Sequence, residues 1–329
     1  MKICIYGAGA IGGHLAARFA KGGAEVSVIG RGAHLEAIKA NGLTVHAFDG
    51  VHHSRPHAAT TAEELGPQDA VIVTTKAPAL PSVAAGIAPL LGRDTSVAFI
   101  MNGIPWWYFD RHGGPMDGRR LPEVDPGEAI RAAIGVERAI GGVVYSACSV
   151  QSPGVVISEH ADIRVYLGEP DGTLSARAHA IADPMAAGGM PCPVVDDIRH
   201  RVWGKLMGNL TSGPLCLLSR KDMASTLKDP VLYAAAVRLA EEGAAIAKAL
   251  GHDLGTSAEA RVARSAGIAH KPSILQDLEL GRPMEVEALL KLPLRLGREM
   301  GVPTPTLELL VALAAQAAEA AGCYSPAAR

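Results

Sequence analysis

Aromatic side chains are scarce in this 329-residue sequence: four Phe, six Tyr and three Trp make up only 4% of it. Any core must therefore be aliphatic and rich in alanine. Cysteine is scarce too. Cys4, Cys148, Cys192, Cys216 and Cys323 are scattered, odd in number and form no C-x-x-C pair, which argues against a disulfide framework or a thiolate zinc site. Net charge is nearly absent, at −2, so there is no basic footprint for nucleic acid. No apolar run is long enough to span a bilayer, and the chain opens on a strand-like run rather than a charged-then-apolar leader. Residence in the cytoplasm, with no membrane partner, is the expectation. His46, His52, His53 and His57 crowd one stretch without a carboxylate or thiol spaced to complete a ligand set. That stretch reads as exposed strand and loop, and no metal is expected.

What is present is a balance of 48% hydrophobic to 19% charged residues, suited to a globular enzyme, and an informative N-terminus. The apolar run Ile3 to Tyr6 leads into Gly7-Ala8-Gly9-Ala10-Ile11-Gly12. A small-residue helix pattern follows, with Leu15, Ala16, Phe19 and Ala20 on one face, and Val26 to Ile29 reads as a second strand. In this strand–turn–helix–strand setting G-x-G-x-x-G is a dinucleotide signature. Gly7 permits the tight turn, Gly9 lets backbone approach a pyrophosphate, and Gly12 lets the helix pack close. The helix N-terminus offers N–H groups and a positive dipole end to the phosphates. Where NAD-binding folds place an acid after the second strand, this chain has Gly30-Arg31. An acid would repel a 2′-phosphate and an arginine can pair with it, so NADP(H) is favoured over NAD(H). The bland alternative is that Arg31 is a solvated surface residue.

Asp69 to Thr75 reads as a buried strand ending in Lys76-Ala77-Pro78. In a doubly wound sheet the carboxyl ends of strands line the cofactor crevice, which places Lys76 to reach phosphate or ribose; a solvated lysine fits equally well. Leu80 to Leu91 reads as helix and Ser96 to Ile100 as strand, running into Asn102-Gly103. Asn102 could bond a nicotinamide or substrate carbonyl, or simply serve its own turn. Trp106 and Trp107 are expected at a lid or domain edge. Ile134 to Val136 and Gly141 to Tyr145 suggest further sheet, and the alternation over 153–157 and 163–168 suggests an antiparallel hairpin added to it. Cys192 to Val195 reads as a last short strand.

From residue 200 no convincing strand pattern appears. The expected organisation is α/β: a Rossmann-type doubly wound domain over 1–196 for NADP(H), then an all-helical substrate and catalytic domain over 197–329. In the helical part Lys205 and Asn209 are four apart and share a helix face, where a lysine and an amide can hold an oxyanion or carbonyl together. A salt-bridged lysine is the alternative. Asp229-Pro230 is a strong helix start, and a further helix is expected from Met284 to Met300.

These pieces together resemble the ketopantoate reductase (2-dehydropantoate 2-reductase) family over nearly the whole length. The carriers are Gly7 to Gly12, Arg31, Thr75-Lys76-Ala77, Asn102-Gly103, Pro153-Gly154, Trp203-Gly204-Lys205-Leu206 with Asn209, and Ser273 to Asp277 followed by Gly281-Arg282 and Glu285. The Gly-rich motif is shared by many dehydrogenases; the Lys205 helix with the 273–285 stretch is far more specific. The resemblance implies NADPH-dependent reduction of a 2-oxo acid to a 2-hydroxy acid, with ketopantoate to pantoate, as in pantothenate biosynthesis, the default. It implies that Lys205 is the general acid, that Glu285 holds and tunes it, and that Asn102 orients carbonyl and cofactor. It further implies that Asn209 and Ser273 contact substrate, and that Arg31 and Lys76 recognise the 2′-phosphate.

Two departures bear on the substrate. Many members carry Asn-Pro where this chain has Ser212-Gly213-Pro214, and many carry Asn-Gly shortly after the glutamate, where this chain runs Glu287-Ala288-Leu289-Leu290-Lys291. A bulkier or more apolar 2-oxo acid is therefore an alternative substrate. A β-hydroxyacid or glycerol-3-phosphate type dehydrogenase and a non-catalytic NADP-binding redox sensor are the remaining readings. A homodimer is the expected assembly.

Overall fold

The computed structural model describes residues 1–326. The chain divides into two compact units. The first comprises Met1–Met101 and Pro105–Ile198; the second comprises Asn102–Ile104 and the chain from Arg199 onward.

In the first unit, β1 (Lys2–Tyr6), α1 (Ala10–Lys21), β2 (Glu25–Ile29) and α2 (Gly32–Asn41) follow in close succession. Next come β3 (Leu43–Ala47), β4 (Gly50–Ser54), β5 (His57–Ala59), β6 (Gln68–Val73), α3 (Leu80–Gly86) and β7 (Leu91–Ile100). After α4 (Ala129–Ile134) stand β8 (Ala139–Tyr145), β9 (Cys148–Ser152), β10 (Val155–Ser158), β11 (Arg164–Gly168) and α5 (Ala176–Ala187). A seven-stranded sheet has the order β11-β8-β7-β6-β1-β2-β5, and a four-stranded sheet the order β4-β3-β10-β9. Only β11 runs antiparallel in the larger sheet. The chain leaves β1 to one side for β2 and returns to the other side at β6, so the switch point of the doubly wound sheet lies between β1 and β6.

The central strands are buried on both faces, which is why Ile3 to Ile5 and Ala70 to Val73 read as continuous apolar runs. Helix α1 packs on both sheets and carries two fully buried polar residues, His14 and Arg18. Arg18 holds Asp49, in the β3–β4 turn, through two hydrogen bonds of 2.6 and 2.8 Å, and its Nε donates to His14 Nε2 at 3.0 Å. Paired and bonded in this way, the guanidinium tolerates its burial and pins the helix to the smaller sheet. The scarce aromatics are concentrated rather than spread. Trp106, Trp107, Tyr108 and Phe109 are consecutive and all buried in the first unit, directly after Pro105, where the chain re-enters that unit. Trp106 meets the Phe99 ring edge-on at 5.5 Å and carries Arg131 at 5.0 Å over its face.

Four local expectations are corrected. Ile134 to Val136 is not strand: Ile134 ends α4, and Gly135 at φ 78° turns the chain. The two alternating stretches do not pair as a hairpin; β10 joins β3 and β9, while β11 pairs with β8. Period-2 alternation reports a half-buried strand and says nothing of its neighbour. Cys192 to Val195 contributes a single bridge, Val194 to Leu167, because Pro191 and Pro193 have no N–H to give a ladder. Leu80 to Leu91 is not one helix: α3 ends at Gly86, Pro89 sits in a short 3₁₀ turn, and Leu91 already starts β7.

The second unit has no strand among its described residues. It contains α6 (Ile198–Ser219, most of it in this unit), α7 (Met223–Thr226), α8 (Pro230–Ala249), α9 (Ala258–Ala266), α10 (Ser273–Glu279), a π-helical turn (Glu287–Lys291), α11 (Leu292–Glu299) and α12 (Pro305–Ala320). Asp229 caps α8 by accepting from Val231 N and Leu232 N. Glu242 of α8 in turn accepts from Thr306 N and Leu307 N, so α8 supplies the cap that α12 lacks locally. No helix among the described residues is long and apolar enough to cross a membrane.

Candidate active site

The Gly-rich turn forms at the switch point. Gly7 N and Ala8 N both donate to Ile29 O, at 3.0 and 2.9 Å, folding the turn against the end of β2. Gly7 has φ +113°, and a Cβ there would stand 2.9 Å from Thr75 N. A Cβ on Gly12 would lie 2.1 Å from Gly7 O, so the start of α1 touches the turn directly. Gly9 differs: a Cβ there meets nothing within 4 Å. Its lack of side chain is not required by packing and leaves room for a ligand beside the backbone of Ala8, Gly9 and Ala10. Helix α1 has neither a side-chain cap nor an acid in its first turn, so no capping side chain or carboxylate of that turn competes with an anion at its N-terminus. These residues fit a dinucleotide pyrophosphate.

Arg31 and Lys76 stand just past the carboxyl ends of β2 and β6, the two strands flanking β1. Arg31 is exposed, as the extended residue before α2; Lys76 is half-buried, before a 3₁₀ turn. Two further polar groups were given no role of their own by the sequence. Thr75 Oγ1, beside Gly7, is buried with no hydrogen-bond partner. His34, in the first turn of α2, accepts from Gly154 N through Nδ1 at 3.0 Å. That bond assigns the proton to Nε2, which is buried and unpartnered. Burial lowers the pKa of His34, so the ring stays neutral.

Lys205, Asn209, Ser273 and Glu285 belong to the second unit. Lys205 and Asn209 lie one turn apart on α6. Glu285, just before the π-helical turn, is 5% exposed. Burial lowers the Lys205 pKa from 10.5 to about 8, while the Glu285 carboxylate acts against that shift. Asn209 Nδ2 is buried without a partner, an orphaned donor of the kind a carboxylate or carbonyl ligand would satisfy.

Asn102 reaches the same group through a short excursion of the chain. Ile104 N donates to Ala288 O at 3.2 Å. Gly103 takes φ +81°, and a Cβ there would stand 2.5 Å from Ala288 O. The tripeptide 102–104 therefore lies directly on the π-helical turn, and Asn102 Nδ2 donates to Glu285 Oε2 at 3.5 Å. Leu289 N donates to Glu285 O at 3.0 Å, which anchors the glutamate's backbone in the same turn. Lys205, Glu285 and Asn102 are thus brought together.

Ser273 opens α10 and is exposed. Its neighbour Ile274 is buried 3.6 Å from where a Cβ of Gly213 would stand. Since Gly213 lies one turn beyond Asn209 on α6, the start of α10 flanks the Lys205–Asn209 face.

The chain matches the family model "Ketopantoate reductase PanE/ApbA" over residues 3–172 and its C-terminal counterpart over 197–318. A 2-dehydropantoate 2-reductase of Mesorhizobium japonicum is 46% identical, covering 99% of this chain and 100% of its own. A crystal structure from Ralstonia solanacearum MolK2, provisionally named a ketopantoate reductase, superimposes with a TM-score of 0.91 at 40% identity, covering 98% of this chain and 99% of its own. That of a 2-dehydropantoate 2-reductase from Geobacter metallireducens GS-15 gives 0.84 at 28% identity, covering 96% and 100%.

Proposed function

This chain belongs to the ketopantoate reductase family, and we propose that it is an NADP-dependent oxidoreductase that reduces 2-dehydropantoate to pantoate. The observation that carries the reading is Lys205: an ammonium with its pKa lowered to about 8 by burial, beside the buried carboxylate of Glu285. Such a group is still protonated at neutral pH and is a far better proton donor than an ordinary lysine.

NADPH, when bound, supplies the hydride to the keto carbon. Negative charge then develops on the carbonyl oxygen, and Lys205 stabilises it in a site shielded from water. Lys205 Nζ gives its proton to that oxygen, completing the 2-hydroxy acid, and is reprotonated from solvent. Glu285 opposes the burial of the ammonium and keeps it charged until the transfer. The orphaned amide of Asn209 and the hydroxyl of Ser273 hold the substrate's oxygens, and Asn102 orients carbonyl and cofactor. In the first unit the turn from Gly7 to Gly12, with Ala8, Ala10 and Ile11, receives the pyrophosphate. Arg31 and Lys76 take the 2′-phosphate, which selects NADPH over NADH. The first unit is thus the cofactor domain, and the helical unit the substrate and catalytic domain.

A second reading within the family, a different 2-oxo acid, draws on Gly213, which brings no side-chain amide and has the apolar Ile274 beside it. Steady-state NADPH oxidation across a panel of 2-oxo acids tests both. The highest kcat/KM with ketopantoate supports the first reading, and a clear preference for a bulkier alkyl 2-oxo acid supports the second. A homodimer in the cytoplasm completes the proposal, and light scattering of the purified protein checks the dimer.

A further inference from the structure

We propose that Tyr324 is a positioning residue for the Lys205–Glu285 pair, acting through the π-helical turn Glu287–Lys291. The inference rests on the roles proposed above for Lys205 and Glu285.

The segment after α12 returns to the strand-free loop that carries Glu285. Met284 N donates to Cys323 O at 2.9 Å, which fixes the backbone immediately before Glu285. The next residue, Tyr324, grips the turn on the other side. Its hydroxyl donates to Glu287 Oε1 and accepts from Lys291 Nζ at 2.7 Å. The Lys291 ammonium also lies 4.7 Å over the Tyr324 ring and 3.6 Å from the Glu287 carboxylate. Glu287 and Lys291 are the first and last residues of the turn, so one side chain holds both of its ends.

A π-helical turn is rare and poorly sustained by its own hydrogen bonds, so it persists where something outside it fixes its ends. The turn bears on the site through Ala288 O, which receives Ile104 N and by that contact sets Asn102 against Glu285. If the turn relaxes to ordinary helix, the Ala288 carbonyl rotates away, and Asn102 and Glu285 lose their register together. Burial, then the Glu287 carboxylate, then the charge of Glu319 all raise the Tyr324 pKa, so its hydroxyl remains a donor at any working pH. The charged groups facing it are therefore Glu287, Lys291 and Glu319, and only the first two join it to the turn.

Tyr324→Phe in the full chain is the test, because it removes the hydroxyl and keeps the ring under Lys291. Against ketopantoate with NADPH, kcat is expected to fall about tenfold with little change in KM or in NADPH affinity. The alkaline limb of kcat/KM is expected to move to lower pH, since Glu285 holds the Lys205 pKa up. Glu285→Gln moves the limb in the same direction, and the double variant is expected to show no further displacement. A Tyr324→Phe enzyme with wild-type kcat and an unmoved limb overturns the inference, as does a displacement that adds in full to that of Glu285→Gln. Failure of the underlying reading has a separate signature: wild-type turnover that survives intact in Lys205→Met.

Discussion

The side-chain amide of Asn102 donates to Glu285 across 3.5 Å, although 183 positions separate the two residues. Gly103 makes this possible, with a backbone at φ +81° and no side chain where a Cβ would stand 2.5 Å from Ala288 O. Gly103→Ala is therefore expected to push the tripeptide off the π-helical turn. The outcome should be a kcat loss of about a hundredfold, from misplacement of Asn102 and Glu285. Asn102→Ala, which deletes the amide and leaves the backbone in place, should lose less. Equal activity of Gly103→Ala and wild type in steady-state assays would show that this backbone contact is dispensable.

The role proposed for Lys205 predicts a pH dependence. Its pKa is lowered to about 8, and as the proposed proton donor it is needed in its protonated form. With the sign worked through, kcat/KM is level below that pKa and falls as pH rises past it, about tenfold per unit. Glu285→Gln removes the influence that raises the Lys205 pKa, so the fall should begin at lower pH. A profile measured from neutral to alkaline pH checks both, and a limb displaced to higher pH in Glu285→Gln would contradict the assignment.

Gly9 and Gly12 separate ligand room from packing. Gly9→Val places its side chain where nothing lies within 4 Å, so the melting temperature should change little while the NADPH Kd rises, by about a hundredfold. Gly12→Val drives a Cβ to 2.1 Å from Gly7 O, so both melting temperature and binding should fall. Thermal melts with and without NADPH distinguish the two.

Arg31 is exposed and carries no packing role, so Arg31→Ala should leave stability unchanged. It should weaken NADPH binding by about tenfold with little effect on NADH, because the contact proposed for Arg31 is to the 2′-phosphate alone. The ratio of kcat/KM for the two coenzymes reads this directly.

Much of this was legible in the sequence, because the informative residues obey short-range rules. Gly7, Gly9 and Gly12 sit at fixed offsets between a strand and a helix, and Lys205 and Asn209 are one helical turn apart. Asp229-Pro230 names the start of α8 by capping chemistry alone. Strand partners were less accessible: β10 and β11 both alternate, yet they belong to different sheets. The smaller sheet was not anticipated, since joining β3 to β10 depends on contacts across more than a hundred residues. Thr75 figured only within the Thr75-Lys76-Ala77 stretch and His34 not at all, because an orphaned hydroxyl or ring nitrogen is visible only once burial is known. The π-helical turn hid within an ordinary helical pattern, and the residues that reveal it, Gly103 and Tyr324, come from distant parts of the chain.

The most direct test of the account is Lys205→Met assayed with ketopantoate and NADPH beside the wild type, with NADPH affinity measured on both. Wild-type turnover with a loss of about a thousandfold in kcat/KM for the variant, at unchanged NADPH Kd, is the predicted result. A variant that binds NADPH normally and reduces ketopantoate within a few-fold of wild type would contradict it.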